Sequence, residues 1–355
     1  MSVEKTSVSE WFQLQGHPIH TRCLEVTVNQ PERGRVQAQG RILDLRKFGF
    51  VPTGGDLQSA GVIHDMSIQA EVSMENRVIE RFEPHQQVVP FEASSRTEGE
   101  SCRDSIHRLR GLVGASLDTS LSKNLSRAYG GALGCSHLLT LSHLLSTTLT
   151  RALDWEADAR RQRPGSREAN ERLFKRSVLI DGFDLEAGQG MEITVQLGDL
   201  LTEPYSIAGG SLSRFARHHE VRGHARIDMG QMSLASLGLW ERERVGLPLQ
   251  PDGWVDRAAL VAPLVGGPAI RGLAHRVDEH IGLGSERSAL RDTLRNLAPG
   301  AIQCMAAYAH RVVEGAGGAA ALGDGPSILQ FGGLPDSCYI WREGGPGMRS
   351  RSESS

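Results

Sequence analysis

The run Gly130-Gly131-Ala132-Leu133-Gly134-Cys135-Ser136-His137-Leu138 sets a thiol and an imidazole two residues apart where a leucine-rich helix begins. Glycines let the backbone turn tightly and come close to another group. A helix start offers free N–H groups and partial positive charge, which favour a thiolate or a bound anion. The chemistry available is that of a nucleophile or metal ligand, Cys135, with His137 as base or co-ligand. Gly130, Gly131 and Gly134 would lend backbone N–H groups to an oxyanion or a bound cofactor. Residues i and i+2 of a continuous helix point about 200° apart. The pair can therefore share a cleft if Cys135 lies in the turn before the helix. The opposing reading makes Cys135 a packing residue and His137 an imidazole bonded to backbone.

His64 is the third candidate. On the alternating stretch Val62 to Val72 it shares the apolar face with Val62, Met66, Ile68, Ala70 and Val72, while Asp65 points the other way. The neighbours His64 and Asp65 are thus no dyad. A histidine on a core face must find a partner or stay neutral, so His64 is either a satisfied core residue or the floor of a pocket facing the glycine-rich helix start. A zinc site built from His64, Cys135 and His137 is a variant; beyond it no metal or cofactor is assigned. His218-His219 with His224 lacks the spacing of a metal motif and reads as a solvated cluster. Phosphate loops, a dinucleotide fingerprint and a Gly-x-Ser-x-Gly elbow are absent from the sequence.

The elements that must position these residues follow from periodicity. Cys23 to Val28, Gly34 to Leu45, Val62 to Val72 and Val78 to Phe82 read as strands, with turns at Gln30–Gly34 and Asn76-Arg77. Asp104 to Leu112, Ser120 to Tyr129 and Leu133 to Leu153 read as helices, the last with an apolar stripe of Leu138, Leu141, Leu145, Leu149 and Ala152. Downstream, an offset of 152 residues carries Leu112-Val113-Gly114 onto Leu264-Val265-Gly266, and Leu121, Gly130, Leu138 and Leu145 onto Leu273, Gly282, Leu290 and Leu297. The expected fold class is α+β, in two divergent tandem units, each of antiparallel β-strands followed by helices. Residues 18–155 form the first unit, 156–173 a charged linker that starts as helix, and 174–314 a degenerate second unit. Residues 315–355 hold a Gly/Ala tract, a docking strand at Cys338–Arg342 and a disordered tail. Pro299-Gly300 breaks the second unit's closing helix. At the same offset Cys135 meets Arg287 and His137 meets Ala289, and on a weaker upstream register His64 meets Gln189, so the reactive types belong to the first unit.

The 355 residues carry a net charge of −3, which argues against a dedicated nucleic-acid binder. No stretch reads as a membrane span, and the opening Met1 to Leu14 is no leader. Five scattered cysteines suit a reducing, cytoplasmic setting better than a disulfide framework.

The motifs His20-Thr21-Arg22, Asp44-Leu45-Arg46-Lys47, His64-Asp65-Met66 and Gly134-Cys135-Ser136-His137-Leu138 stand in the order of a bacterial family of undefined function, which the first 150 or so residues resemble. Ser136 replaces that family's threonine, and its Pro-Tyr-x-x-Cys element survives only loosely, as Pro90-Phe91 with Cys102 downstream. The resemblance implies a bacterial soluble protein and supplies no activity. The expected function is an enzyme or enzyme-like auxiliary acting on a small organic ligand, such as an acyl thioester, through His64, Cys135 and His137. The competing readings are a non-catalytic ligand-binding or assembly protein and a zinc-binding protein.

Overall fold

In the computed structural model the described residues are 14, 16–52, 57–95, 97–118, 120–185, 190–210, 214–246, 253–315 and 333–352. The opening residues 1–13, Gln189 and the Gly/Ala tract beyond Gly315 lie outside them.

Strands β1 (His17–Gln30), β2 (Arg35–Pro52), β3 (Leu57–Ser73) and β4 (Ile79–Val88) form one antiparallel meander. A second comprises β5 (Glu171–Asp184), β6 (Gly190–Thr202), β7 (Phe215–Asp228) and β8 (Ser233–Val245), edged by the short β9 (Val255–Asp256). Because β1 pairs antiparallel with β5, both join one sheet in the order β4-β3-β2-β1-β5-β6-β7-β8-β9. Alternation decides which face is buried. Leu24, Val26 and Val28 of β1, Met66, Ile68, Ala70 and Val72 of β3, and Val178 and Ile180 of β5 all point into the core.

Helices cover that face. After the first meander come a 3-10 turn (Ile106–Leu112), α1 (Leu121–Tyr129) and α2 (Ser136–Gln162). After the second come α3 (Ala258–Val261), α4 (Leu273–Ile281), α5 (Ser288–Arg295) and α6 (Leu297–Gly315). The leucine stripe of α2 is buried against β1, β2, β3 and β5, and α6 lies on β1, β2, β5 and β6. The opposite face carries ion pairs such as Arg41–Asp65 and Lys175–Glu25. No described helix is long and apolar enough to cross a membrane.

The two sets of helices begin alike. Gly114 and Gly266, both at positive φ, donate their N–H groups to the carbonyls of Ile79 and Leu234, each at 2.8 Å. They then differ: α2 runs unbroken for 27 residues, whereas α5 stops at Arg295 and the chain restarts as α6. The break falls just before Pro299, which sits in the first turn of α6, where its missing N–H leaves no helical bond unmade.

Residues 156–173 start as helix, α2 continuing to Gln162, and 161–166 are exposed, while buried Glu156 receives Arg167 at 2.6 Å and Arg160 reaches Glu203 at 2.6 Å. Other expectations need correction. Segment Tyr339–Trp341 is a 3-10 turn rather than a strand, because its apolar residues pack on Phe91 and leave no edge to pair. Pro346–Ser352, expected to be disordered, is a helix, α7. Val62 faces outward at 38% exposure because a bulge inserts Ile63, which takes the inward place.

His143 of α2 lies between Ser122 and Ser126 of α1, at 3.2 and 3.3 Å, with Arg295 nearby. Burial, and then the Arg295 charge, lower its pKa to about 4. The unfolded chain therefore takes up this proton near pH 6.5 and the folded chain only near pH 4, so stability falls as pH drops across that window. Urea midpoints between pH 7 and pH 4 should fall less steeply in His143→Gln than in the parent; parallel profiles would contradict this.

Candidate functional site

The strand period that buries Leu24 and Val26 also turns His20 and Arg22 inward, and the period that buries Ile42 does the same for Asp44 and Arg46. Register then aligns them. Arg22 faces Asp44 across β1 and β2, and Asp44 faces His64 across β2 and β3. Asp44 is wholly buried. Its Oδ1 accepts from His20 Nε2 at 2.9 Å and Arg22 Nε at 2.7 Å, and its Oδ2 accepts from Arg22 Nη2 at 2.9 Å.

Two more imidazoles close on Oδ2. His64 Nδ1 and His137 Nε2 each lie 3.2 Å away, and the two rings stack with centroids 3.6 Å apart. His137 arrives from the first turn of α2. Gly134 makes that entry possible, since a side chain there would overlap the Tyr129 carbonyl and ring that end α1. Cys135 is the extended residue that caps α2, at φ −92° and ψ 122°. The condition set by the two-residue spacing is thus met: Cys135 Sγ lies 3.9 Å from His137 Nδ1 and 3.9 Å from Met66 Sδ.

Protonation follows from burial and charge. Burial alone would raise the Asp44 carboxyl, but Arg22 and the histidine contacts outweigh it and hold Asp44 well below the usual carboxylate range. Burial lowers His20 and His64 despite Asp44, and burial together with His64 pushes His137 down to about 3. At neutral pH the centre is one carboxylate, one guanidinium and three neutral imidazoles. Burial pushes the Cys135 thiol up to about 12, against the backbone N–H groups of His137 and Leu138. Cys135 is therefore a thiol here, not the thiolate that a helix start alone would favour.

Above the centre lies a cavity of ≈ 90 Å³, lined by Arg46, His64, Met66, Cys102, Cys135, His137 and Gln303, and walled by Phe91, Tyr339 and Trp341. Burial brings Arg46 down to about 10, still a cation, and its Nη1 bonds the Ala306 carbonyl at 3.2 Å. The Tyr339 N–H donates to Gly134 O at 2.8 Å, tying the wall to the start of α2. A larger cavity of ≈ 620 Å³ between α1, α2 and α4–α6 shares Ser136, Ile302 and Gln303 with the first.

The candidates are thus brought together unequally. His64, Cys135 and His137 line one cavity. Of the glycines only Gly134 does; the Gly130 and Gly134 N–H groups are engaged with the Ser126 and Gly131 carbonyls. His20, Arg22, Asp44, Arg46 and Gln303 were not among the candidates. Parity along the strands was the available signal for the first four, since each is a polar residue in an inward register. Gln303 had none, because its place depends on how α6 crosses the sheet.

The second meander builds a matching constellation. Arg176, Asp199 and His219 are consecutive cross-strand neighbours, and Arg176 grips Asp199 through Nε at 2.6 Å and Nη2 at 2.7 Å. Here the place of His137 is taken by Arg151 of α2, 3.0 Å from Asp199 Oδ2 and 2.8 Å from His219 Nδ1. His219 thus stands across from Asp199 as His64 stands across from Asp44, and it is buried and bonded to Glu241 at 2.8 Å instead of solvated.

Fold and site together define an α+β protein whose antiparallel sheet and helices enclose a histidine–carboxylate centre. Residues 20–151, which contain that centre's His20, Asp44, His64 and His137, are similar to a family described as protein of unknown function (DUF2889). Comparison with curated proteins and with solved structures gave no match.

Proposed function

We propose that this chain is an enzyme acting on a small organic molecule, whose reacting end enters the cavity floored by His64 and His137. The observation that carries this reading is the convergence of two neutral imidazoles on a fully buried carboxylate at the end of a walled cavity. Arg46 supplies a cation for an anionic group of that molecule. At ≈ 90 Å³ the cavity is far below the ~300–1,000 Å³ of pockets that hold drug-sized ligands. It suits a short acyl or carboxylate end, with the larger adjoining cavity available for a carrier such as that of an acyl thioester. Cys135 orients His137 through Nδ1.

The reading also draws on a tandem duplication. Arg22–Asp44–His64 and Arg176–Asp199–His219 stand in the same cross-strand relation, yet the second is closed by a guanidinium while the first faces a cavity. The second unit then serves as support. A non-catalytic ligand-binding protein is favoured by one observation, the engagement of the glycine N–H groups that an oxyanion would need.

A set of short-chain acyl thioesters and small carboxylates, assayed for turnover and for thermal shift, separates the readings. Turnover that falls about 10²–10⁴-fold in His137→Gln, with circular dichroism unchanged, is expected. Binding without turnover would favour the ligand-binding protein, and neither binding nor turnover would contradict both.

A further inference from the structure

We infer that Asp44, His64 and His137 hold a divalent transition-metal ion, through Oδ2, Nδ1 and Nε2. This deepens the enzyme reading by naming what the centre presents to a substrate.

The three donor atoms lie within 4.8 Å of one another and all three residues are buried. One of the three donor atoms has no hydrogen-bond partner. His64 Nδ1 is 3.2 Å from Asp44 Oδ2 yet makes no hydrogen bond, although it is buried. His137 Nε2 accepts from the Gln303 side-chain amide at 3.1 Å, a contact that a metal on the same lone pair would replace, and it carries no proton toward the carboxylate oxygen 3.2 Å away. Acceptors crowded onto one point repel unless a cation sits between them. Ligands about 2.1 Å from a shared ion and at roughly right angles lie about 3.0 Å apart, close to the 3.2 Å found for each nitrogen–oxygen pair.

The outer shell is also in place. Asp44 is gripped by Arg22 and His20 through its other contacts, and Cys135 stands at His137 Nδ1, the nitrogen that a metal on Nε2 would leave protonated. The matching constellation supplies an internal comparison: there a cation, the Arg151 guanidinium, already bridges Asp199 and His219. In the first constellation the side chain that α2 brings to the carboxylate is the His137 imidazole rather than a guanidinium. Two imidazoles and one carboxylate suit zinc or iron(II), with the remaining positions turned to the cavity and Arg46. The zinc set of His64, Cys135 and His137 is not the one this geometry favours, since Cys135 faces the wrong nitrogen.

The test is metal analysis of the untreated full-length protein, followed by titration of the stripped protein with Zn²⁺ and Co²⁺. One ion per chain is expected, with X-ray absorption of the cobalt form showing nitrogen and oxygen neighbours and no sulfur. His64→Gln and His137→Gln should each weaken Co²⁺ binding more than about 100-fold, because even outer-shell changes cost ~10–100-fold. His219→Gln should leave binding unchanged. A sulfur ligand, or binding that both variants retain, would overturn the site. Turnover by metal-free protein would overturn it while sparing the enzyme reading; a metal bound 1:1 without turnover of any acyl thioester or carboxylate would sustain the site and remove the enzyme reading.

Discussion

Replacing Asp44 with alanine should lower folding stability by about 3–5 kcal/mol, the range found when one partner of a buried ion pair is removed. Arg22 is almost wholly buried, and its two bonds to Asp44 are the ones the structure gives it, so truncation leaves a guanidinium charge inside the core. His20, His64 and His137 lose the same oxygen pair. The large effect comes from the orphaned charge more than from the lost attraction. Removing both charges together, as Arg22→Met with Asp44→Leu, should recover part of the loss. Asp199→Ala should be milder, because Arg176 keeps Asp292 at 2.6 Å. Urea unfolding of the four proteins checks this, and a loss below about 1 kcal/mol for Asp44→Ala would contradict the buried pairing.

Alanine at Gly134 should cost about 1–3 kcal/mol and disable the site together. The backbone there is extended, at φ −151°, so the difficulty is space rather than torsion. An added methyl meets the Tyr129 carbonyl, which belongs to the last residue of α1 and cannot move without disturbing that helix's end. The alternative movement shifts Cys135 and the first turn of α2, which carries His137 away from Asp44. Stability and ligand response should therefore fall together in Gly134→Ala. A variant as stable and as responsive as the parent would show that this close approach does not position the helix.

Much of this was readable from the chain. Alternation placed the strands of the first meander, the leucine spacing placed α2, and the offset of 152 found helices α1 and α4 in matching places. What periodicity could not supply was register between strands distant in sequence. Arg22, Asp44 and His64 become neighbours only once β1, β2 and β3 are aligned, and a single bulge at Ile63 shifts the parity on which Val62 was placed. His219 was read within a solvated cluster because its spacing fits no metal motif, and only the pairing of β6 with β7 sets it against Asp199. The helix was read from Leu133, so the place of Cys135 before it stayed a condition until α2 was seen to begin at Ser136, and its environment was not legible. A helix start favours thiolate, and only the packed surroundings show that burial wins.

The most direct measurement compares His64→Gln with His219→Gln, two substitutions at matching positions of the two halves, for turnover of short acyl thioesters and carboxylates. Turnover lost in His64→Gln and kept in His219→Gln, with both variants folded, is what a chemical centre confined to the first half predicts. Equal turnover in the two variants, or none in the unmodified protein, would contradict it.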